Sequence, residues 1–327
     1  MKGKIVNLND YQSLVNRLKK NQKKLKSFIK SEELEAYRIY QKDLPQIPYL
    51  IDIYQDQALI SEQGKRLDEE TEHLRSQHLQ MIKEALTEVF NIPVAQQFVK
   101  IRQRQKGNEQ YQAYDKRSQN FFTVKEGKLK FWVNLERYLD SGLFLDHRPL
   151  RKKLASGLAK DKRVLNLFCY TGSLSVASAV GGASEVYSTD LSATYLDWAV
   201  DNFILNNIDP KQHRFIQADC LKELERLHED GAKFDLIILD PPSFSNSKRM
   251  EEDLDVQEDH ALLVRNCMRL LSPGGELYFS TNKKRFELHS IILGHYQVKE
   301  TTHWTIPLDF HHSNIHRSFL ITYKSTT

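Results

Sequence analysis

Cysteine is scarce in this chain. Cys169, Cys220 and Cys267 are three thiols in 327 residues, an odd number and widely spaced. That excludes a disulfide framework and a cysteine-rich zinc site. No apolar run is long enough to span a membrane, and the first residues lack the apolar core of a secretory signal. Neither G-x-G-x-x-G nor Gly-Lys-Ser/Thr is present, so neither the dinucleotide fingerprint nor a phosphate loop is expected. His147, His260 and the pair His311-His312 fall at no familiar metal-ligand spacing, and no metal is expected. There is no internal repeat. These absences leave an expected cytoplasmic protein without membrane attachment, long enough for one large domain and a smaller one.

Charge is modest in total and uneven in placement. The net charge is +4, from 47 basic and 43 acidic residues. Arg17, Lys19, Lys20, Lys23, Lys24, Lys26 and Lys30 fall between positions 16 and 30 with no acid among them. Leu14, Leu18, Leu25, Phe28 and Ile29 lie near one face at helical spacing. Residues 1–35 therefore read as a basic amphipathic helix, which either packs as an ordinary charged helix or meets RNA phosphates through Lys19, Lys20, Lys23 and Lys24. Its apolar face lacks the Trp and heavy hydrophobic content of a membrane-surface helix.

Residues 36–137 read as a small α+β domain. Tyr37–Tyr40, Tyr49–Tyr54 and Ala58–Ser61 suit strands, Leu67–Phe90 a long helix, and Gln97–Arg104 another strand. Phe121–Leu135 suits a hairpin folded at Glu126-Gly127. Arg102, Arg104 and Lys106 form a second basic cluster, an RNA contact or a charged strand edge.

Residues 138–327 alternate strand and helix. Val164–Phe168, Glu185–Asp190, Arg214–Asp219, Phe234–Asp240 and Glu276–Thr281 read as buried strands. Gly172–Val180, Ala193–Asn206, Leu221–Glu229 and Val256–Leu271 read as the helices between them. This alternation argues a Rossmann-like parallel sheet covered on both faces, with ligands at the carboxyl ends of its strands. Pro273-Gly274-Gly275 marks a turn before the fifth strand. Two further extended stretches, Tyr296–Thr305 and Arg317–Lys324, suit an antiparallel end to the sheet, as in methyltransferases rather than dehydrogenases.

The first strand enters a turn, Asn166-Leu-Phe-Cys-Tyr-Thr-Gly172, where a backbone can approach a nucleotide-like ligand closely. The next apolar runs each end in an acid: Asp190, Asp219 and Asp240. An acid after a strand is often only a helix N-cap, and Asp219 fits that reading too. Taken together, Asp190 is placed to reach ribose hydroxyls and Asp219 to accept from an adenine amino group. That division suits S-adenosylmethionine, which has ribose and adenine but no phosphate.

These motifs carry a resemblance. Asn166–Gly172, Ser188-Thr-Asp190, Gln217-Ala-Asp219 and Asp240-Pro-Pro-Ser-Phe-Ser-Asn-Ser-Lys-Arg249 resemble class I methyltransferases of large-subunit ribosomal RNA. The similarity points in particular to the C-terminal, guanine-N7 half of the bifunctional K/L enzymes. Tyr138-Leu-Asp-Ser-Gly-Leu-Phe-Leu-Asp-His-Arg148, Arg104-Gln-Lys-Gly107 and Asn282-Lys-Lys-Arg285 extend it over nearly the whole chain, whereas the N2-guanine half is missing. The resemblance implies S-adenosylmethionine held by Asp146, Arg148, Asn166, Phe168, Tyr170, Thr171, Gly172, Asp190, Leu191, Asp219, Cys220 and Asp240. It implies 23S rRNA, or a large-subunit assembly intermediate, as partner, with Lys248 and Arg249 adding to the basic contacts.

Asp240, Pro241, Pro242 and Phe244 are the expected catalytic segment. The prolines make a rigid rim, and Phe244 offers a face on which a target base can stack. N7 of guanine carries no proton, so positioning and electrostatics suffice without a general base. Cytosine C5 chemistry needs a cysteine nucleophile, and Thr281 stands where the related enzymes place it. Amine-methylating enzymes usually follow Asn/Asp-Pro-Pro directly with an aromatic, and here Ser243 intervenes. N7-guanine is the expected target. The alternatives are an exocyclic guanine amine, cytosine C5, a small molecule, or a non-catalytic RNA-binding assembly factor.

Overall fold

A computed structural model describes residues 8–63, 69–102, 120–138, 140–245, 253–310 and 315–324. They form two compact units. One holds the described residues up to Leu145 together with Leu308–Phe310, and the other holds Asp146–Pro307 with the described residues beyond 314.

In the first unit, α1 (Leu8–Ser31) opens the chain. Leu14, Val15, Leu18 and Leu25 recur at helical spacing and are buried, packed with Ile39, Ile51, Ile53, Ile82 and Leu86 in one core. Each such leucine contributes about 1.5–3 kcal/mol of burial, so this face decides where the helix lies. Strands β1 (Ala36–Gln41), β2 (Tyr49–Tyr54) and β3 (Gln57–Gln63) form an antiparallel meander. Helix α2 (Glu69–Phe90) then crosses over to β4 (Gln97–Arg102), which pairs parallel with β3. A hairpin follows, β5 (Phe122–Glu126) and β6 (Leu129–Val133), turning at Gly127, whose φ of +57° favours glycine. The division at Leu145 and Asp146 lies eight residues beyond the expected one at 137, and α1 belongs to the first unit, packed into its core.

The second unit is built on a seven-stranded sheet. Short α3 (Arg148–Lys153) precedes β7 (Arg163–Leu167), α4 (Ser173–Val180), β8 (Glu185–Asp190), α5 (Ala193–Leu205), β9 (Arg214–Gln217) and α6 (Cys220–Glu229). Then come β10 (Phe234–Leu239), a small pair β11 (Phe244–Ser245) and β12 (Leu254–Asp255), α7 (Val256–Leu270) and β13 (Leu271–Thr281). The chain ends through α8 (Ser290–His295), β14 (Tyr296–Glu300), α9 (Thr302–Thr305) and β15 (Arg317–Tyr323).

The spatial order is β14-β15-β13-β10-β7-β8-β9. Strands β13, β10, β7, β8 and β9 run parallel, and β15 inserts antiparallel between β13 and β14. The Rossmann-like sheet with an antiparallel end is therefore present as expected. Its central strands are buried on both faces: Leu165, Leu167, Ile237, Leu239, Leu277 and Phe279 on one face share a core with α6 and α7 residues, and Val164, Leu236 and Ile238 on the other are buried as well.

Two local expectations need correction. The stretch 296–305 is not one strand: β14 stops at Glu300, and Thr302–Thr305 form a helical turn after Thr301. Pro273-Gly274-Gly275 does not separate a helix from a strand. It lies inside β13 as an irregularity, where pairing with β10 jumps from Leu271 to Glu276. A Cβ on Gly275 would sit 3.0 Å from the Ser272 carbonyl and 3.2 Å from that of Phe234, so the loop closes tightly there. Among the described residues, no helix is long and apolar enough to cross a membrane.

Candidate functional site

The parallel strands place their carboxyl ends on one edge of the second unit, and the expected site residues follow those ends. After β7 the chain turns through Phe168, Cys169, Tyr170, Thr171 and Gly172. Phe168, Tyr170 and Gly172 have φ of 54°, 52° and 72°, so alternate residues adopt the left-handed conformation. For the first two this costs free energy, and tertiary hydrogen bonds hold them there. The Phe168 amide donates to Cys220 Sγ at 3.4 Å, the Cys169 amide to the Thr189 carbonyl at 3.0 Å, and the Tyr170 amide to Asp190 Oδ2 at 2.9 Å. The Gly172 amide turns back to the Cys169 carbonyl, and Asn202 donates to the Thr171 carbonyl at 2.9 Å.

Gly172 is required by space as well as by φ. A Cβ there would come within 2.7 Å of Ala199 Cβ on α5. Phe168, expected as a strand end, lies just outside β7, half-buried against the core. Tyr170 packs edge-on against Tyr195, with ring centres 4.5 Å apart.

Asp190, at the end of β8, accepts from the Tyr170 amide through Oδ2 and from the Ser192 amide through Oδ1. Burial raises its carboxyl to about 6, against the lowering effect of the Ser192, Tyr170 and Leu191 amides. Three of the roughly four lone-pair sites of the carboxylate are thus taken by amides, which leaves room for a hydroxyl donor. Asp219 is the N-cap of α6, its Oδ1 accepting from Leu221 at 2.8 Å, so the capping role is real. Leu191 is half-buried beside Asp190, and its carbonyl accepts from Gln217.

Two expected cofactor residues do structural work within the fold. Asn166 is buried in β7 and donates to Ser175 Oγ at 2.8 Å, which in turn accepts from Ser188 at 2.7 Å. Cys220 is buried, holding the Phe168 amide. Burial pushes all three thiols up, which makes none of them a ready nucleophile.

The residues fit an adenosyl ligand better than a phosphate. In a phosphate loop the amides point at the anion; here those of Phe168, Cys169, Tyr170 and Gly172 are spent on partners within the protein. The nearby carboxylate of Asp190 repels phosphate and suits ribose hydroxyls.

Asp240 follows β10. Its Oδ1 accepts from Ser280 at 2.6 Å, and its Oδ2 lies 3.2 Å from His147 Nε2. His147 stacks on His316, with centroids 5.0 Å apart and planes within 8°. His316 Nδ1 lies 2.8 Å from Asp146 Oδ2, and its Nε2 is 3.1 Å from Thr305 Oγ1. Burial opposes charge on His147, but Asp240 and Asp146 outweigh it and hold the imidazole up to about 9. Burial opposes charge on Asp146 as well, yet His147 and His316 keep its carboxyl far below the usual range.

Sequence reasoning named Asp146 and Asp240 but missed His147 and His316 as their partners. His316 is 170 positions from Asp146, and no local pattern signals such a meeting. Side-chain N and O atoms of Asp146, His147 and His316 lie within 4.8 Å of one another, a grouping the histidine spacing in the sequence did not signal: His316 bonds Asp146, while His147 lies 3.8 Å from Asp146 and stacks on His316. Arg148 is buried at the start of α3.

Beyond Asp240, Pro241 is buried and Pro242 exposed, and Ser243 donates to Asn282 Oδ1. Phe244 is 54% exposed. Thr281 is buried at the end of β13, Lys283 pairs with Asp255 at 2.7 Å, and Lys284 and Arg285 are exposed.

In the first unit, Lys19, Lys20, Lys23 and Lys24 lie on the exposed face of α1, with Lys19 reaching Glu88 at 2.8 Å. Arg102 ends β4, but its side chain, together with Arg104, Lys106, Lys248 and Arg249, lies outside the described residues.

Comparison with known proteins matches residues 38–305 to the S-adenosylmethionine-dependent methyltransferase family model. A ribosomal RNA large subunit methyltransferase K of Neisseria meningitidis is 43% identical over 318 residues, covering 97% of this chain and 89% of that protein. A ribosomal RNA large subunit methyltransferase K/L of Legionella pneumophila is 47% identical over 311 residues, covering 95% of this chain but only 43% of that protein. A crystal structure of a methyltransferase complexed with SAH superposes with a TM-score of 0.77 at 26% identity, covering 97% of this chain and 83% of that one.

Proposed function

Because the chain belongs to the S-adenosylmethionine-dependent methyltransferase family, we infer that it methylates a guanine of 23S ribosomal RNA, at N7, in the cytoplasm. The observation that carries the reading is the strand-end constellation of Asp190, Asp219 and Asp240 beside an exposed Phe244, in a chain 43% identical to a large-subunit rRNA methyltransferase. S-adenosylmethionine supplies an electrophilic methyl group on a sulfonium. The chain's own residues orient, cover and screen.

In this reading Asp190 accepts ribose hydroxyls and Asp219 offers its second oxygen to the adenine amino group. Tyr170 covers the methionine end, where Asp146 and Arg148 belong with it. Phe244 stacks the target base, worth about 1–3 kcal/mol, once the base is unstacked from its own helix. The N7 lone pair forms the new C–N bond while the C–S pair returns to sulfur, so no proton has to leave. Positive charge moves onto the base, and the Asp240 carboxylate faces the place where it arrives. Burial of all three cysteines speaks against cytosine C5 chemistry, which needs an accessible thiolate.

The test uses rRNA from a strain lacking the gene. N7 methylation makes the product cleavable by borohydride and aniline at one guanine. A methylated product resistant to that cleavage would move the target to another atom, and trapping of the enzyme on 5-fluorocytosine RNA would establish C5 chemistry instead.

A further inference from the structure

The second unit buries two histidines between two aspartates, and the cofactor assignment uses neither histidine. Ser280 donates to one oxygen of Asp240, and His147 Nε2 lies 3.2 Å from the other. Behind His147 stand Asp146 and, stacked face to face, His316. His316 is anchored on its far side by Thr305, whose hydroxyl meets Ser318, which meets Thr301. This polar chain therefore joins the segment before α3, the ends of β10 and β13, α9 and the start of β15.

Burying charges this densely costs free energy unless each is paired. A purely structural need would be met more cheaply by apolar packing. What the polar chain produces is one fixed direction for the Asp240 carboxylate, at the rim that precedes Phe244.

We propose that His147 is the positioning residue for Asp240, fixing the carboxylate so that it faces the base receiving the methyl group, with Asp146 and His316 as its support. This rests on the reading that Asp240 faces the methyl acceptor. His147 does not touch the reacting atoms. The charged groups facing it are Asp240 from the end of β10, Asp146 and Arg151 from its own segment, and the His316 ring from the segment before β15. Asp146 and Asp240 would otherwise bring two negative charges together within one polar chain. One imidazolium between them removes the excess while leaving Asp240 its outward lone pairs. His316, held by both Asp146 and Thr305, keeps the imidazole plane of His147 from tilting.

Two measurements on the full chain test this, and only the second depends on the RNA. The first is a histidine NMR titration of the S-adenosylmethionine-bound protein. The His147 imidazole should stay protonated to about pH 9 and titrate at clearly lower pH in Asp240→Asn. An ordinary titration in the parent, or no response to Asp240→Asn, overturns the coupling.

The second is single-turnover methyl transfer to rRNA lacking the modification. His147→Phe keeps a ring against His316 but removes the donor, and should slow transfer about tenfold or more, the loss of one charge-assisted hydrogen bond. Its affinities for cofactor and RNA should stay at the parent value. His147→Gln restores a donor and should recover most of the rate. Equal losses in both variants, or a matching loss of cofactor affinity, would make the polar chain a structural brace and overturn the proposal. A parent protein that methylates no rRNA refutes the functional reading instead, and the titration still decides whether His147 and Asp240 are coupled.

Discussion

Asp190 concentrates the conflict between burial and charge. Its carboxyl is raised from 3.8 to about 6 because desolvation outweighs the amides that bond it. A raised carboxyl contributes stability below the unfolded value and loses it as pH rises through the folded one. Ribose hydroxyls are better held by the ionised form, so cofactor affinity should weaken by about tenfold between pH 7 and pH 5, as isothermal titration would measure. In Asp190→Asn that dependence should vanish, and Asp190→Ala should weaken binding by about 1.5–3 kcal/mol at neutral pH; a folded variant with unchanged affinity removes the assignment. His147 behaves as a raised base. Its stabilising contribution is complete below about 6.5 and lost as pH climbs towards 9. Melting temperatures should fall across that window in the parent and stay flatter in His147→Gln. Gly172→Ala combines a left-handed φ with a 2.7 Å approach to Ala199. It should destabilise by about 1–3 kcal/mol, read by denaturant unfolding.

Helix α1 separates packing from surface cleanly. Its buried leucines hold the first unit together, and Leu18→Ala should cost about 2–5 kcal/mol of that unit's stability. The lysines on its outer face can serve another partner only where the fold does not use them. Lys19 is tied to Glu88, which makes Lys20 and Lys23 the better pair to alter. Changing both to Gln should lower the log–log salt slope of RNA binding by about 0.7–0.9 for each phosphate no longer neutralised, leaving cofactor affinity unchanged. A parental slope would assign the helix to packing alone. Within the second unit, β13 shows an element set by its neighbours. Pro273-Gly274-Gly275 reads as a turn in isolation, yet the chain on both sides of it pairs with β10, so the three residues become a loop within one strand.

The described residues form two compact units, with the candidate strand-end site in the second. Cofactor binding should therefore slow amide exchange around 168–172, 190–192 and 218–221 and leave α1 unchanged. Protection spread evenly over both units would contradict a site confined to the second. The chain covers most of its Neisseria relative but less than half of the K/L relative from Legionella. What the remainder of the longer protein does is no property of these two units.

The amino-acid order alone determined the alternating strands and helices of residues 163–281, because a buried parallel sheet leaves continuous apolar runs and short turn signals. It also determined the basic helix, whose leucine spacing is local, and the acids at the strand ends, whose position follows from the strands. Only the tertiary structure decided how those acids are used. Asp219 became a cap, Asn166 and Cys220 turned inward to brace the Gly172 loop, and His147 and His316 met around Asp146 and Asp240. The physical reason is sequence distance. A periodic pattern is read within about ten residues, whereas a hydrogen bond between His316 and Asp146, 170 positions apart, exists only after β15 has inserted beside β13 and brought both ends of the domain to one edge of the sheet.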